Sequence, residues 1–415
     1  MINRLGLALA CVAAMVLPAC GGGSTAAPAF SGGIASNPAA NTMPIVVDRG
    51  PSQLADAGLS TINTPFVTVT LCTPGSTTAC QTIDHVALDT GSIGLRVMAS
   101  VLGPGVSLPA VDDPASGRAL RECAQFADGY SWGSVVTADV QLGGAALSSL
   151  PLHLIGDAAA GTAPSSCVSG PDESTVLAFG ANGVLGIGNF VQDCGDACAA
   201  SAIAGTYYAC DTGGGASCQS TATDLGRQVS NPVALMSTDN NGVVIVLSAV
   251  PTSGALSTAG TLTFGVGTEG NNAVGVARFY TLDDAGTLVT VFGGLAQSGS
   301  FIDSGSNGLY FSDPSLAVCG DAAAFYCPAQ TLAMTAVIQG LNGNSAAIDF
   351  TVSNADQIFA TPDAAVAGLA GPNAAASGGS FGGFDWGLPF FYGRPVYVLF
   401  EKQASNGVTG PALAF

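Results

Sequence analysis

The sequence predicts a mainly β protein of two lobes, and three observations carry that prediction. The first is composition. Of 415 residues, 48% are hydrophobic, only 9% are charged and 57 are glycine, the profile of a loop-rich β protein and not of a helical bundle or a disordered chain. The second is texture, because short runs of Val, Thr, Leu and Phe alternate with clusters of Gly, Pro, Asn and Ser. The third is a repeat. "DTGSIGLRV" from Asp89 and "DSGSNGLYF" from Asp303 share Asp, Gly, Ser, Gly and Leu at the same five places, with Thr or Ser a conservative sixth. The copies lie about 200 residues apart, far beyond solenoid periods, so each copy is assigned its own lobe.

Taken in chain order, residues 1–19 read as a secretory signal. Arg4 supplies the positive start and Leu5 to Leu17 a short apolar core. "LPAC" resembles a bacterial lipobox with Cys20 as the acylated first residue, and Gly21 in place of Asp then implies outer-membrane sorting. The alternative is a plain secreted protein. Residues 20–43, rich in Gly, Ser, Ala and Pro, read as a flexible tether. Residues 44–250 are expected to form an N-terminal lobe with Asp89, and 251–415 a C-terminal lobe with Asp303. "PFVTVTLC" and "CQTIDHVALD" read as a hairpin closed by Cys72 and Cys80. "GSVVTADVQLGG", "GVVIVLSAV", "GTLTFGVG", "TLVTVFGG", "SAAIDFTV" and "RPVYVLFE" read as further strands. Short helices are expected at "NPVALMS" (231–237) and "DPSLAVCG" (313–320).

Apart from Cys11 and Cys20, ten cysteines remain, an even number that suits disulfides in an exported chain. Their spacing groups Cys72 with Cys80, Cys194 with Cys198, Cys210 with Cys218 and Cys319 with Cys327, leaving Cys123 and Cys167; the connectivity stays open. With only His85 and His153, and no Cys-x-x-Cys, a metal site is not supported, and no cofactor is expected. Acidic residues outnumber basic ones 28 to 9, which argues against a nucleic-acid partner. The expected contact with a membrane is the lipid anchor alone, and the chain is expected to act as a monomer.

The two turns suggest a chemistry. Carboxylates about 3 Å apart repel by roughly 5 kcal/mol at an effective dielectric of about 20. Such a pair holds one proton in common, giving an acid and a base that grip one water. Gly91 and Gly305 would admit backbone N–H groups to the carboxylates. Thr90 and Ser304 would tie the loops together, and Ser92 and Ser306 would bond the outer carboxylate oxygens. A single Asp-Ser/Thr-Gly is usually only a β-turn; "CDTGGGASC" at 210–218 lacks the flanking strand and reads as a disulfide loop.

These residues resemble the bilobal pepsin-like aspartic peptidases, and the resemblance covers most of the mature chain. "NGVLGIGN" (182–189), with Leu185 and Gly186, is similar to the segment that threads under the first catalytic loop. "QFADGYSWGSVVTADVQLGG" (125–144) resembles the flap hairpin, with Phe126, Asp128, Gly129 and Tyr130 at its tip. "GTLTFG" resembles the opening of the second lobe and "WGLPFFYGRPVYVLFE" its closing segment. The resemblance implies a pepsin-like fold, Asp89 and Asp303 as catalytic residues, and a peptide or unfolded-protein substrate in the interlobe cleft. Phe126 replaces the flap tyrosine, leaving Tyr130 or Trp132 to compensate. Glycines at 94 and 308 imply looser turns than in pepsin, and Arg49 is the only basic residue between Cys20 and Asp89. The chain also resembles a bacterial lipoprotein family catalogued only as a domain of unknown function.

The expected activity is that of an envelope-anchored aspartic endopeptidase; the alternative is a non-catalytic module that binds a peptide or glycan in the cleft. A serine hydrolase using His85 or His153 lacks a nucleophile elbow. Arg96 is placed either in the cleft or in a structural salt bridge.

Overall fold

The computed structural model describes residues 40–211, 217–320, 322, 324–373 and 383–415. The signal segment, Cys20 and nearly all of the tether lie outside the described residues. Among the described residues, no helix is long and apolar enough to cross a membrane.

Alternating side chains build the first hairpin. In Pro65–Cys72, Val67, Val69 and Leu71 are buried while Thr68 is exposed. Its partner Cys80–Asp89 sets Cys80 opposite Cys72, and the two form a disulfide. A bulge interrupts the register between Val67 and Val69. Across from it His85 takes a φ of 47° and lies 3.2 Å from Asp48 and 3.1 Å from Asp84. His85 is therefore an ion-paired strand residue.

One sheet runs through fifteen strands. From its outer edge these are Gln219–Ser220, Tyr207–Cys210, Ala119–Gln125, Tyr130–Leu142, Ala145–Ile155, Ile93–Met98, Gly183–Ile187, Cys80–Asp89, Pro65–Cys72 and Thr42–Val47. The sheet continues into Thr258–Phe264, Gly242–Leu247, Pro395–Leu399, Ala412–Ala414 and Phe279–Thr281. A second sheet orders Ser345–Val352, Leu332–Gln339, Leu288–Phe292, Leu295–Ile302, Asp385–Trp386, Leu309–Tyr310 and Ala370–Gly371. The chain is thus mainly β and two-lobed. The expected boundary at 250/251 falls between Gly242–Leu247 and Thr258–Phe264, which are paired neighbours, so the lobes share a sheet there.

The repeat seen in the sequence is also a repeat of topology. In the first lobe Gly183–Ile187 inserts between Cys80–Asp89, to which it is parallel, and Ile93–Met98, to which it is antiparallel. In the second lobe Asp385–Trp386 inserts in the same way between Leu295–Ile302 and Leu309–Tyr310. The two insertions back onto one core cluster that includes Leu88, Leu95 and Leu185 on one side and Ile302, Leu309 and Trp386 on the other. Side chains of this kind, fully buried, contribute roughly 1.5–3 kcal/mol each.

The helices differ from expectation. Residues 231–237 hold only a 3-10 turn, Val233–Leu235. Residues 313–320 hold no helix, because Val318 bridges to Tyr326 and the Cys319–Cys327 disulfide draws the segment into a small loop. The α-helices are Ser52–Asp56, Val176–Phe179, Gly195–Ala200 and Ala355–Phe359, none longer than six residues. So short a helix gives too few turns for apolar periodicity to register. All ten expected cysteines are disulfide-bonded, and the two left over by spacing, Cys123 and Cys167, pair with each other.

Arg96 resolves as a salt bridge behind the first turn and not as a cleft residue. It is 4% exposed and bonds Glu122 through Nη2 (2.5 Å) and Nε (3.2 Å), Asp193 (3.3 Å) and the Ile93 carbonyl. His153, fully buried, lies 3.0 Å from the other Glu122 oxygen, which removes it as a hydrolytic base. Burial alone would raise the Glu122 carboxyl, but Arg96 first and His153 next outweigh it and hold the group well below the ordinary carboxylate range. The depressed value means that this group's stabilisation is present above about pH 4.5 and is lost as pH falls towards the folded value. Glu122→Gln leaves Arg96 without its counter-ion, and urea denaturation at pH 6 is expected to show a loss of about 3–5 kcal/mol. A loss under about 1 kcal/mol would mean that the pair is not buried as described.

Candidate active site

Each strand that ends in an aspartate turns sharply at the following Thr-Gly or Ser-Gly. The two turns grip each other through four hydrogen bonds. The Thr90 N–H donates to Ser304 Oγ (3.1 Å) and the Ser304 N–H to Thr90 Oγ1 (2.9 Å). The Thr90 hydroxyl then donates to the Ile302 carbonyl (3.3 Å) and the Ser304 hydroxyl to the Leu88 carbonyl (2.8 Å). Both side chains are buried, so each lost partner would strand a polar group.

The grip brings Asp89 and Asp303 into hydrogen-bonding reach of each other. Their supports match. The Gly91 N–H donates to Asp89 Oδ1 and the Gly305 N–H to Asp303 Oδ1, each at 2.7 Å. The Ser92 hydroxyl donates to Asp89 Oδ2 and the Ser306 hydroxyl to Asp303 Oδ2. A Cβ on Gly91 would lie 2.6 Å from Asp303 Cγ, and one on Gly305 2.5 Å from Asp89 Oδ1. Only glycine permits this approach. Burial first, then the charges of Asp89 and Asp385 and the bond to Asp89, push the Asp303 carboxyl well above its ordinary value; the Gly305 N–H opposes this. Of the two, Asp303 is the carboxyl held towards its protonated form.

Residues 37–415 match the family described as "Protein of unknown function (DUF3443)". The chain belongs to that family. No curated protein matches it. Among solved structures it is similar to a crystal structure of an aspartic proteinase from Irpex lacteus, at 15% identity and a TM-score of 0.49, over 91% of this chain and 96% of the other. The two-lobed fold of this DUF3443 protein follows from the strand pairing and does not lean on that likeness.

The expected threading segment of the DUF3443 chain lies under the first turn, with Leu185 opposite Leu88 and Gly186 opposite Asp89. The expected looseness at Gly94 is not present. It sits at φ 96°, where a Cβ would come within 2.3 Å of Val229, so close packing demands glycine there. The segment expected to be the flap forms the hairpin of Ala119–Gln125 and Tyr130–Leu142, its tip closed by Phe126 N–H to the Gly129 carbonyl (2.8 Å). Phe126 packs edge-on against Phe179 (5.4 Å between centroids) in a cluster with Phe66 and Ala87. Tyr130 and Trp132 do not stand in for a flap tyrosine: both are buried with the Cys123–Cys167 disulfide and Tyr208, and the indole N–H donates to the Ala160 carbonyl. Asp128 faces the second lobe and acts on Tyr310, whose hydroxyl donates to Asn307.

Sequence reasoning missed two residues here. Asn63, fully buried at φ 53°, donates to the carbonyls of Asn307 and Val366 (2.8 Å each) and accepts from Val366 N–H and Tyr392. A buried asparagine in the first lobe thus holds the second Asp-Ser-Gly turn. Asp385, 5% exposed, is buried on the strand inserted beside the second turn, with Oδ1 lacking a hydrogen-bond partner. It immediately precedes the segment "WGLPFFYGRP". The available signal was an acidic residue beside a buried tryptophan in a chain with few charges.

The grip is testable without an activity assay. Thr90→Val and Ser304→Ala are each expected to lower the unfolding free energy by about 1–3 kcal/mol. The double variant should cost less than their sum by about 0.5 kcal/mol or more, because either change alone already breaks shared bonds. Additive losses in urea denaturation would show that the turns do not hold each other.

Proposed function

We propose that this protein is an aspartic endopeptidase whose water-activating pair is Asp89 and Asp303. The observation that carries the reading is the close approach of two carboxyls that the Thr90–Ser304 grip holds together: a Cβ on Gly305 would lie 2.5 Å from Asp89 Oδ1 and 3.2 Å from Asp303 Oδ1. With one proton on the pair, placed on Asp303, ionised Asp89 takes a proton from a bound water as its oxygen attacks a peptide carbonyl carbon. Asp303 gives its proton to the carbonyl oxygen, forming a gem-diol. On collapse the C–N bond breaks, Asp89 passes its proton to the leaving nitrogen, and a diol hydroxyl returns a proton to Asp303. An extended peptide fits a cleft flanked by a β-hairpin, where main-chain hydrogen bonds supply affinity.

Five disulfides among the described residues suit an oxidising compartment. This supports placing the protein outside the cytoplasm; the proposal that it is lipid-anchored through Cys20 in the outer membrane and acts as a monomer on peptide or unfolded protein rests on the sequence alone. A second reading, a non-catalytic module that binds a peptide or glycan, is favoured by Phe126, because that flap residue offers no hydroxyl and packs into its own lobe.

An unfolded protein substrate, assayed from pH 3 to 7, is expected to be cleaved in a pepstatin-sensitive reaction, with Asp89→Asn or Asp303→Asn lowering kcat/KM by about 10³-fold or more. Equal residual cleavage by wild type and both variants would remove the carboxyls from the machinery. Binding of a peptide ligand without any cleavage would favour the second reading.

A further inference from the structure

The likeness of the two turns extends past the serines that bond the carboxylates. Ser92 donates to Asp89 Oδ2 and Ser306 to Asp303 Oδ2. The carbonyl of each serine accepts a backbone N–H from the inserted segment behind it, from Gly188 (3.0 Å) in the first lobe and from Leu388 (2.7 Å) in the second. The next residue is Ile93 in one copy and Asn307 in the other. Its main-chain carbonyl accepts a side-chain N–H in both lobes: Arg96 Nη1 donates to Ile93 at 2.6 Å, and Asn63 Nδ2 to Asn307 at 2.8 Å.

The two donors have unrelated origins. Arg96 lies on the strand that leaves the first turn, whereas Asn63 reaches the second turn from 244 residues away. The sequence repeat does not carry this match. The counterpart of Arg96 in the second copy is Tyr310, whose hydroxyl bonds the Asn307 side chain instead (2.5 Å). Different residues thus bring the same kind of contact to the same carbonyl of both turns.

Each donor is held from behind. Arg96 is buried, and its other nitrogens bond Glu122 and Asp193. Asp193 accepts from the Tyr207 hydroxyl (2.6 Å), which accepts in turn from the Val229 N–H (2.8 Å). Val229 is the residue packed on Gly94, so this chain of bonds closes beside the first turn. Asn63 gives its second N–H to the Val366 carbonyl and accepts from the Val366 N–H and the Tyr392 hydroxyl. Neither donor can swing off its carbonyl without stranding buried polar atoms.

Two consecutive carbonyls pinned in this way fix the two peptide planes that follow each serine's Cα, and with them the direction of its hydroxyl. We propose that Arg96 and Asn63 are matched positioning residues, each holding one turn by its carbonyl so that the serine hydroxyl stays on the outer oxygen of that turn's aspartate. Their effect on cleavage rests on the peptidase reading above, whereas their effect on the turns does not.

The test uses Arg96→Lys and Asn63→Gly in the full chain. Lysine keeps a cation beside Glu122 but lacks the planar fork that bonds a carboxylate and a carbonyl at once. Glycine suits the φ of 53° at position 63 and removes the amide. Hydrogen exchange is followed by NMR at the Gly91 and Gly305 amides, which donate to Asp89 and Asp303. Arg96→Lys is expected to speed exchange about tenfold or more at Gly91 and less than about threefold at Gly305, and Asn63→Gly to do the reverse. A merely structural role would speed both amides alike. Equal acceleration at the two glycines in Arg96→Lys, or none, would overturn the proposal, and that variant decides alone should Asn63→Gly fail to fold. In the cleavage assay Arg96→Lys is expected to lower kcat about tenfold with KM within about twofold of wild type. An unchanged kcat beside an active wild type would also overturn the proposal. Absence of cleavage by wild type would instead defeat the peptidase reading, and the exchange pattern would still decide the positioning roles.

Discussion

The structure depends on one reciprocal interaction, in which a backbone N–H of each Asp-Thr/Ser-Gly turn donates to the hydroxyl that follows the other turn's aspartate. Neither turn could hold a carboxylate against another by itself. A pair at this separation repels by several kcal/mol, so the loops that carry it must be fixed by something stronger than their own backbone preferences. The buried hydroxyls supply this, because each both accepts from the opposite turn and donates back to a carbonyl of the strand leading into it. The inserted strands behind the turns, the sheet shared by the lobes and the buried amide of Asn63 all serve to keep the two loops in register.

Two ionic environments lie on either side of this grip and behave oppositely. Behind the first turn, Arg96 supplies a counter-charge and Glu122 is kept ionised. At the turns no cation is present among the groups that act on the acids, and burial drives Asp303 and Asp385 towards the neutral form. The same burial has opposite consequences because one site contains a guanidinium and the other does not. As pH falls, the first environment weakens and the second strengthens.

The asymmetry between the lobes has a physical logic. Duplicated turns alone would give two equivalent carboxyls, with nothing to decide which keeps the proton. Asp385 lies on one side only, and its effect on Asp303 is to favour the protonated form. The fold thus gives two aspartates on nearly identical turns different buried surroundings.

Much of this was determined by the sequence itself. The strand texture, the two Asp-Thr/Ser-Gly turns, the glycines that admit a facing carboxyl and the closely spaced cysteines are local patterns, and local patterns report local conformation. The tertiary structure alone decided that Cys123 joins Cys167, that Arg96 belongs to a buried ion pair, that Tyr130 and Trp132 turn away from a flap role, and that Asp385 is buried between the strands flanking the second turn. Each of these depends on which residues, tens or hundreds of positions apart, share a face or a register. Periodicity reveals that a side chain is buried, but it carries no information about the neighbour it is buried against.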